Sequence, residues 1–270
     1  MVAILRQKRA QGHPVLRAIA LPAFQDNYIW LLSGPDGAAI VVDPGDDAPV
    51  HEAIARGVRP VALLLTHHHA DHIGGAARLQ ASLGIPAYGP VDDRIPGEVQ
   101  RVGDGDRVEV PALGVGFDVL AVPGHTRSHI AFHGAGQLFC GDTLFSLGCG
   151  RMFEGDAAQM LASLERLAAL PGDTAVCCGH EYTEANGRFA RAAEPDNPAR
   201  DAWLAQVAGK RGAGLPSLPS TLAVERDANP FLRVDQPGVR ASLGRRLGRL
   251  PVDRIEAFAA LRQWKDGFTG

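Results

Sequence analysis

The chain has 270 residues, of which 46% are hydrophobic, and a formal net charge of −3 from 27 basic and 30 acidic residues. That length exceeds what one hydrophobic core usually needs, and predicts one large domain with a smaller appendage rather than two equal halves. The interspersed, nearly balanced charge speaks against nucleic-acid binding or a polybasic membrane patch, and no apolar run reaches the roughly 18 residues of a membrane span.

Met1 to Pro14 is short and basic, lacks the apolar stretch and cleavage site of a secretory signal, and reads as a flexible extension. Ile29–Ser33 and Ala38–Asp43 bracket the turn Gly34-Pro35-Asp36-Gly37 and predict a hairpin. Val61–Thr66 has the composition of a buried strand. Gly75–Leu83 reads as a helix stopped by Gly84 and Pro86. Phe117–Val122, Ile130–His133, Gln137–Cys140 and Thr174–Cys178 read as further strands. Between the last two, Ala157–Leu170 predicts a helix with Met160, Leu161, Leu164 and Leu167 on one face. Asp156 can cap that helix, with Gln159 three residues on. Beyond Glu181 no strand is predicted. Helices over Glu184–Glu194 and Ala199–Ala208 precede the Gly- and Pro-rich Gly209–Pro219. Pro251–Phe268 predicts a last helix with Ile255, Phe258, Leu261 and Trp264 inward. The expected organisation is an extension over 1–14, a catalytic domain over 15–182 and a helical domain over 183–270. Cys140, Cys149, Cys177 and Cys178 show no disulfide framework, which suits reduced thiols in the cytoplasm.

The strongest chemical signal is Thr66-His67-His68-His69-Ala70-Asp71-His72, directly after the predicted strand at Val61–Leu65. In an extended segment, side chains at i and i+2 share a face, so His67 and His69 project together and His68 projects away. The turn that follows can aim Asp71 and His72 at a neighbouring position. Three more candidate ligands, His125, Asp142 and His180, each stand just past a predicted strand and just after a glycine. His67, His69 and His125 can hold one metal ion. Asp71, His72 and His180 can hold a second, and Asp142 can give one oxygen to each. Imidazole with carboxylate suits zinc, with iron or manganese as alternatives, rather than calcium or magnesium. His13, His51, His68 and His133 read as structural or exposed.

The run from His67 to His72, with the later His, Asp and His, resembles the signature of the metallo-β-lactamase superfamily. The resemblance implies an α+β fold, an αββα sandwich with the metals at one edge, followed here by the mainly helical C-terminal domain. From about Ile19 to Phe268 the chain is similar to the glyoxalase II family, the hydroxyacylglutathione hydrolases. Ala23–Tyr28, Gly141–Phe145, Gly179–Thr183, Asn229–Arg233 and Arg262–Asp266 carry that likeness.

That likeness implies hydrolysis of the thioester of an S-2-hydroxyacylglutathione, such as S-D-lactoylglutathione, by hydroxide held between two divalent ions, in methylglyoxal detoxification. Asp71 would ligate and also orient the nucleophile. Arg151, Phe153, Tyr182, Arg262 and Lys265 would bind the glutathione moiety. Arg151 stands where the family often has Lys, and Phe153 where some members have Tyr. The expected partner is this small thioester alone, with no nucleic acid or membrane, and the expected state is a cytoplasmic monomer. A single-iron persulfide dioxygenase, a nuclease of the same fold and a non-catalytic metal module are the rival readings, separated by metal content and thioester turnover.

Overall fold

The computed structural model describes residues 16–270; the predicted extension over 1–14 lies outside them. A first sheet runs in chain order through β1 (Arg17–Ala23), β2 (Asn27–Ser33), β3 (Ala38–Val42), β4 (Arg59–Leu64), β5 (Ala87–Gly89) and β6 (Val99–Arg101). The first two pairings are antiparallel and the rest parallel. Its central strands read as continuous apolar runs because both faces are buried. Alternate residues supply two cores: Trp30, Ile40 and Leu64 face one, while Leu31, Val41 and Leu63 face the other. That second core is closed by Val50 of α1 (Ala48–Ala55) and Leu79 of α3 (Ala76–Leu83). Between β4 and α3 the chain makes the single turn of α2 (Ala70–Ile73).

The second sheet has β7 (Arg107–Val110), β8 (Val115–Ala121), β9 (Ile130–Gly134) and β10 (Gln137–Gly141) in antiparallel succession. After the short hairpin of β11 (Leu144–Phe145) and β12 (Gly148–Cys149) comes α4 (Ala157–Ala168), which returns the chain to β13 (Ala175–Cys178), parallel to β10. As predicted, Asp156 and Gln159 form a reciprocal cap, and Met160, Leu161, Leu164 and Leu167 are buried. Phe117, Phe132 and Phe139 meet the inner face of the first sheet. The two sheets with helices outside form the αββα sandwich that the resemblance implies.

The C-terminal region comprises α5 (Thr183–Ala193), α6 (Pro198–Gly212), β14 (Ser220–Thr221), α7 (Leu222–Ala228), α8 (Pro237–Leu247) and α9 (Arg254–Asp266). It holds two helices that the sequence pattern did not announce, α7 and α8, and departs from expectation in three further places. β14 adds a two-residue edge to the second sheet, too short for any alternating pattern to announce. α6 continues through Gly209 to Gly212, where Lys210 lies over Trp203 and donates to the carbonyl of Ser217. Ile255 lies in the first turn of α9 and is 47% exposed, whereas Phe258 and Leu261 are fully buried. Among the described residues no helix is long and apolar enough to cross a membrane.

The helices grip the β11–β12 hairpin with buried polar groups. Asn229 Nδ2 donates to the carbonyls of Phe145 (3.1 Å) and Gly148 (2.9 Å). Asn186 Nδ2 donates to Ser146 O, and Trp203 Nε1 to Ser146 Oγ. The hairpin tip needs Leu147 in the left-handed region (φ 58°), and its N–H donates to Glu225 Oε2 at 2.8 Å. This grip places the segment that leads from Asp142 to Arg151.

Candidate metal centre and substrate pocket

All seven predicted ligands converge where β4, β8, β10 and β13 end. His67, His69 and His125 bring one nitrogen each to a common position, and beside it Asp71 brings a carboxylate oxygen and His72 and His180 one nitrogen each, with the donor atoms within 4.8 Å of one another in each group. Asp142 stands between them. Its Oδ2 is 3.4 Å from His125 Nε2, while its Oδ1 is 3.3 Å from His72 Nε2 and 3.4 Å from His180 Nε2. Gly179 permits this approach, since a Cβ there would lie 2.7 Å from Asp142 Oδ1.

The imidazoles are oriented from behind. His72 Nδ1 faces Asp43 Oδ2 at 3.0 Å, His125 Nδ1 the carbonyl of Arg151 at 2.8 Å, and His180 Nδ1 Asp26 Oδ1 at 2.8 Å. These oxygens only accept, so each Nδ1 carries a proton and each Nε2 is left to face the centre. Thr66 Oγ1 gives its hydrogen to Asp43 Oδ2 (2.7 Å) and can then accept from His67 Nδ1 (3.0 Å). His69 is the exception and presents Nδ1, 3.0 Å from His125 Nε2.

A cation fits this arrangement on observations of the site itself. His67 Nε2, His72 Nε2 and Asp142 Oδ1 are buried without a hydrogen-bond partner, a costly state for polar atoms that a shared cation relieves. Burial, reinforced by His72 and His129, pushes His67 well below its usual range. Burial and the neighbouring His125 take His69 down to about 4. Asp142 stays well below the usual carboxylate range despite its burial, because His72 and His180 face it. His72 and His180 are pulled upward against burial, chiefly by Asp142. His67 and His69 thus face the centre as neutral imidazoles, while Asp142 draws positive charge onto His72 and His180, a demand that a shared cation would meet.

Beside the centre opens a cavity of about 440 Å³, lined by His125, Asp142, Phe145 and Cys149 and by all five predicted substrate contacts: Arg151, Phe153, Tyr182, Arg262 and Lys265. Tyr182 stacks on His180 at 4.8 Å with planes 4° apart. Phe153 is 63% exposed and sets its ring edgewise against His69 and His125. Lys265 is half-buried and held below its ordinary value by burial and by Arg262, Arg188 and Arg151, so this wall is strongly cationic. Arg151 is largely exposed, 3.6 Å from Asp266.

His68 does point away from the ligands, but it is not on the surface. Its Nδ1 lies 3.3 Å from Asp92 and its Nε2 3.6 Å from Glu154, with only 12% of the side chain exposed. Sequence reasoning also passed over Asp26, Asn27 and Asp43. The signal for Asp43 was available: a carboxylate that directly follows five buried apolar residues needs a partner. Asn27 Nδ2 holds Asp71 Oδ2 at 2.9 Å.

The sandwich and its paired ligand groups define a class. Residues 23–180 match the family model for the metallo-beta-lactamase superfamily, and residues 181–268 match that for the hydroxyacylglutathione hydrolase C-terminus. A curated hydroxyacylglutathione hydrolase of Xylella fastidiosa (strain M12) is 52% identical over 254 residues, 94% of this chain and 98% of that protein. One from Stenotrophomonas maltophilia (strain R551-3) is 54% identical, again over 94% of this chain, and over 99% of its own length. Among solved structures, ETHE1 from Myxococcus xanthus aligns with a TM-score of 0.60 at 24% identity, over 94% of this chain and all of that one. TTHA1623 in a di-iron-bound form aligns with a TM-score of 0.56 at 28% identity, over 80% of this chain and all of that one. The chain belongs to the metallo-β-lactamase superfamily and, within it, to the hydroxyacylglutathione hydrolase (glyoxalase II) family of thioester hydrolases.

Proposed function

We propose that this chain hydrolyses S-2-hydroxyacylglutathione, with S-D-lactoylglutathione as the type substrate, to glutathione and the free 2-hydroxy acid at a site for two divalent metal ions. The observation that carries this is the position of Asp142, one oxygen toward each group of ligands, at the inner end of a cavity with a cationic wall. His67, His69 and His125 would hold one ion, Asp71, His72 and His180 the other, and Asp142 both. Zinc is the ion we assign; iron and manganese suit the same donors, and the di-iron form of TTHA1623 supports a count of two. When bound, the ions supply a hydroxide nucleophile at neutral pH and polarise the thioester carbonyl.

The chain's own residues do the rest. Asp71 is fixed by Asn27 and kept ionised by His72 and Asn27 against its burial, so it can ligate and also orient the attacking water by accepting its hydrogen. Arg151, Arg262 and Lys265 meet the two carboxylates of glutathione, and Tyr182 continues that wall to the ligand His180. Phe145 and Phe153 keep water from the sulfur. The leaving thiol has a pKa of about 8.5, so the thiolate departs without a dedicated acid. We assign residues 15–182 to catalysis and 183–270 to substrate binding, a division supported by the meeting of the two family models between residues 180 and 181. Four buried, unpaired cysteines suit a reducing cytoplasm.

Steady-state kinetics on the zinc-loaded protein test the reading. S-D-lactoylglutathione should be cleaved with a kcat/KM far above that of a thioester lacking the glutathione carboxylates. Equal turnover of both, or none of either, refutes it.

A further inference from the structure

His129 belongs to neither group of ligands, yet it is fully buried beside His67 and His125 of the first group and beneath the Asp142 backbone. Its ring stacks on His67 with centroids 4.6 Å apart and planes 15° apart. The backbone N–H of Asp142 points to its Nε2 at 3.1 Å, and its Nδ1 lies 3.0 Å from the carbonyl oxygen of Ile130. A backbone N–H can only donate and a carbonyl oxygen can only accept. The proton of His129 is therefore on Nδ1, and its Nε2 lone pair is committed to the peptide N–H of Asp142. Neither backbone group can exchange roles, so the tautomer is fixed.

The Asp142 peptide is where such an anchor matters. Gly141, just before it, has φ +47°, and a Cβ there would come within 2.9 Å of the His129 ring and 2.3 Å of Thr66 Oγ1. The chain thus leaves β10 through a tight, left-handed turn packed on His129. Asp142 must present one oxygen to each ligand group, so a rotation of its peptide plane displaces both oxygens together. A sequence signal exists as well: His129 directly precedes the buried run Ile130-Ala131-Phe132, where a histidine must find partners indoors.

We propose that His129 is a positioning residue of the metal centre: it fixes the peptide plane of Asp142 through a single-tautomer hydrogen bond and the ring plane of His67 through its stack. This rests on the reading of Asp142 and His67 as metal ligands. Packing alone is the competing explanation, and it predicts no dependence on the acceptor.

The test compares His129→Gln, His129→Phe and His129→Asn in the full-length, zinc-loaded protein. Zinc is competed away with a chromophoric chelator, and melting of the metal-free forms is followed in parallel. Gln can place its Oε1 where Nε2 stood. Phe keeps the ring and the stack but has no acceptor, and the shorter Asn falls short of the Asp142 N–H. Gln should hold zinc within about threefold of the wild type, while Phe and Asn lose about tenfold to a hundredfold for at least one ion. In the weakened variants kcat should fall with KM nearly unchanged, because the residues proposed to hold glutathione (Arg151, Phe153, Tyr182, Arg262 and Lys265) keep their places. If the larger Phe ring prevents folding, the contrast between Gln and Asn decides. Wild-type zinc affinity in Phe and Asn, or an equal loss in Gln, overturns the proposal. Asp142→Ala separates the two levels. If it keeps both ions at wild-type affinity, the ligand reading fails. If it loses zinc while Phe and Asn keep theirs, only the role of His129 fails.

Discussion

Arg262 donates through Nη1 to the carbonyl of Cys149 across 2.8 Å, which ties the last helix to the hairpin that follows Asp142. Its Nη2 reaches Asp266 Oδ1 at 2.9 Å, and the residue is only 4% exposed. Lys265, three positions on, shares the pocket but makes no such bond. Its ammonium lies 5.7 Å over the ring of Phe189. The two cations of α9 therefore have different duties. Lys265→Ala should raise KM for S-D-lactoylglutathione about tenfold, the equivalent of about 1.4 kcal/mol, with kcat and the melting temperature nearly unchanged. Arg262→Ala should also raise KM, and in addition lose about 1–3 kcal/mol of stability because the Cys149 carbonyl is left buried and unpaired. A thioester without the glutathione carboxylates should be insensitive to Lys265→Ala. Equal loss on both substrates would remove Lys265 from glutathione binding.

Removal of Asp142 should do more than removal of any one histidine. Asp142→Ala takes an oxygen from both ligand groups and leaves two cations facing each other with less compensating charge. The expected result is loss of at least one metal ion and near-total loss of turnover. Metal analysis of the purified variant reads the first directly, and retention of both ions with most of the activity contradicts the bridging role.

His68→Ala should leave metal content intact without being silent. Asp92 and Glu154 flank the His68 ring and also hold the neighbouring loops, Asp92 through Ser128 Oγ at 2.5 Å and Glu154 through the N–H of Arg127 at 2.9 Å. Loss of the ring should cost on the order of 1 kcal/mol and lower the thermal midpoint, with zinc stoichiometry unchanged. His51→Ala is the better neutral control, since that side chain is 48% exposed. A missing metal ion in His68→Ala would place the side chain inside the coordination sphere.

Glu194 gives a pH dependence that does not involve the metals. Burial would raise its pKa, but two bonds from Arg233, each 2.8 Å, and one from Asn197 outweigh it and hold it below its ordinary 4.5. Because the folded value is the lower one, the unfolded chain binds the proton more readily. The contribution is complete above about pH 4.5 and is lost as pH falls through the folded value. The stability difference between wild type and Glu194→Gln, measured on metal-free protein by denaturant titration, should shrink steadily below that pH. A constant difference would mean that the pair carries no charge-dependent stability.

The candidate ligands were legible in the sequence because they gather just past the ends of strands, and strands of Val, Leu and Ile advertise themselves. The alternation at His67 and His69 places two of them without any structure. What stayed hidden was held by long-range pairing. Asp26 finds His180 and Asn229 finds Phe145 across 154 and 84 positions of chain, and no local pattern encodes either contact. β14 is two residues long and exists because β13 offers it an edge. The burial of Arg262 was equally invisible, since a lone arginine on an amphipathic helix reads as surface until the hairpin beneath it is known.

We propose that this fold places two metal ions at one thioesterase centre. The most direct measurement is turnover of S-D-lactoylglutathione by metal-stripped protein as zinc is added in known equivalents. Activity should rise until about two equivalents are bound, as a two-ion site requires, and then level off. Full activity at one equivalent, or no thioester cleavage with both positions filled, would contradict it.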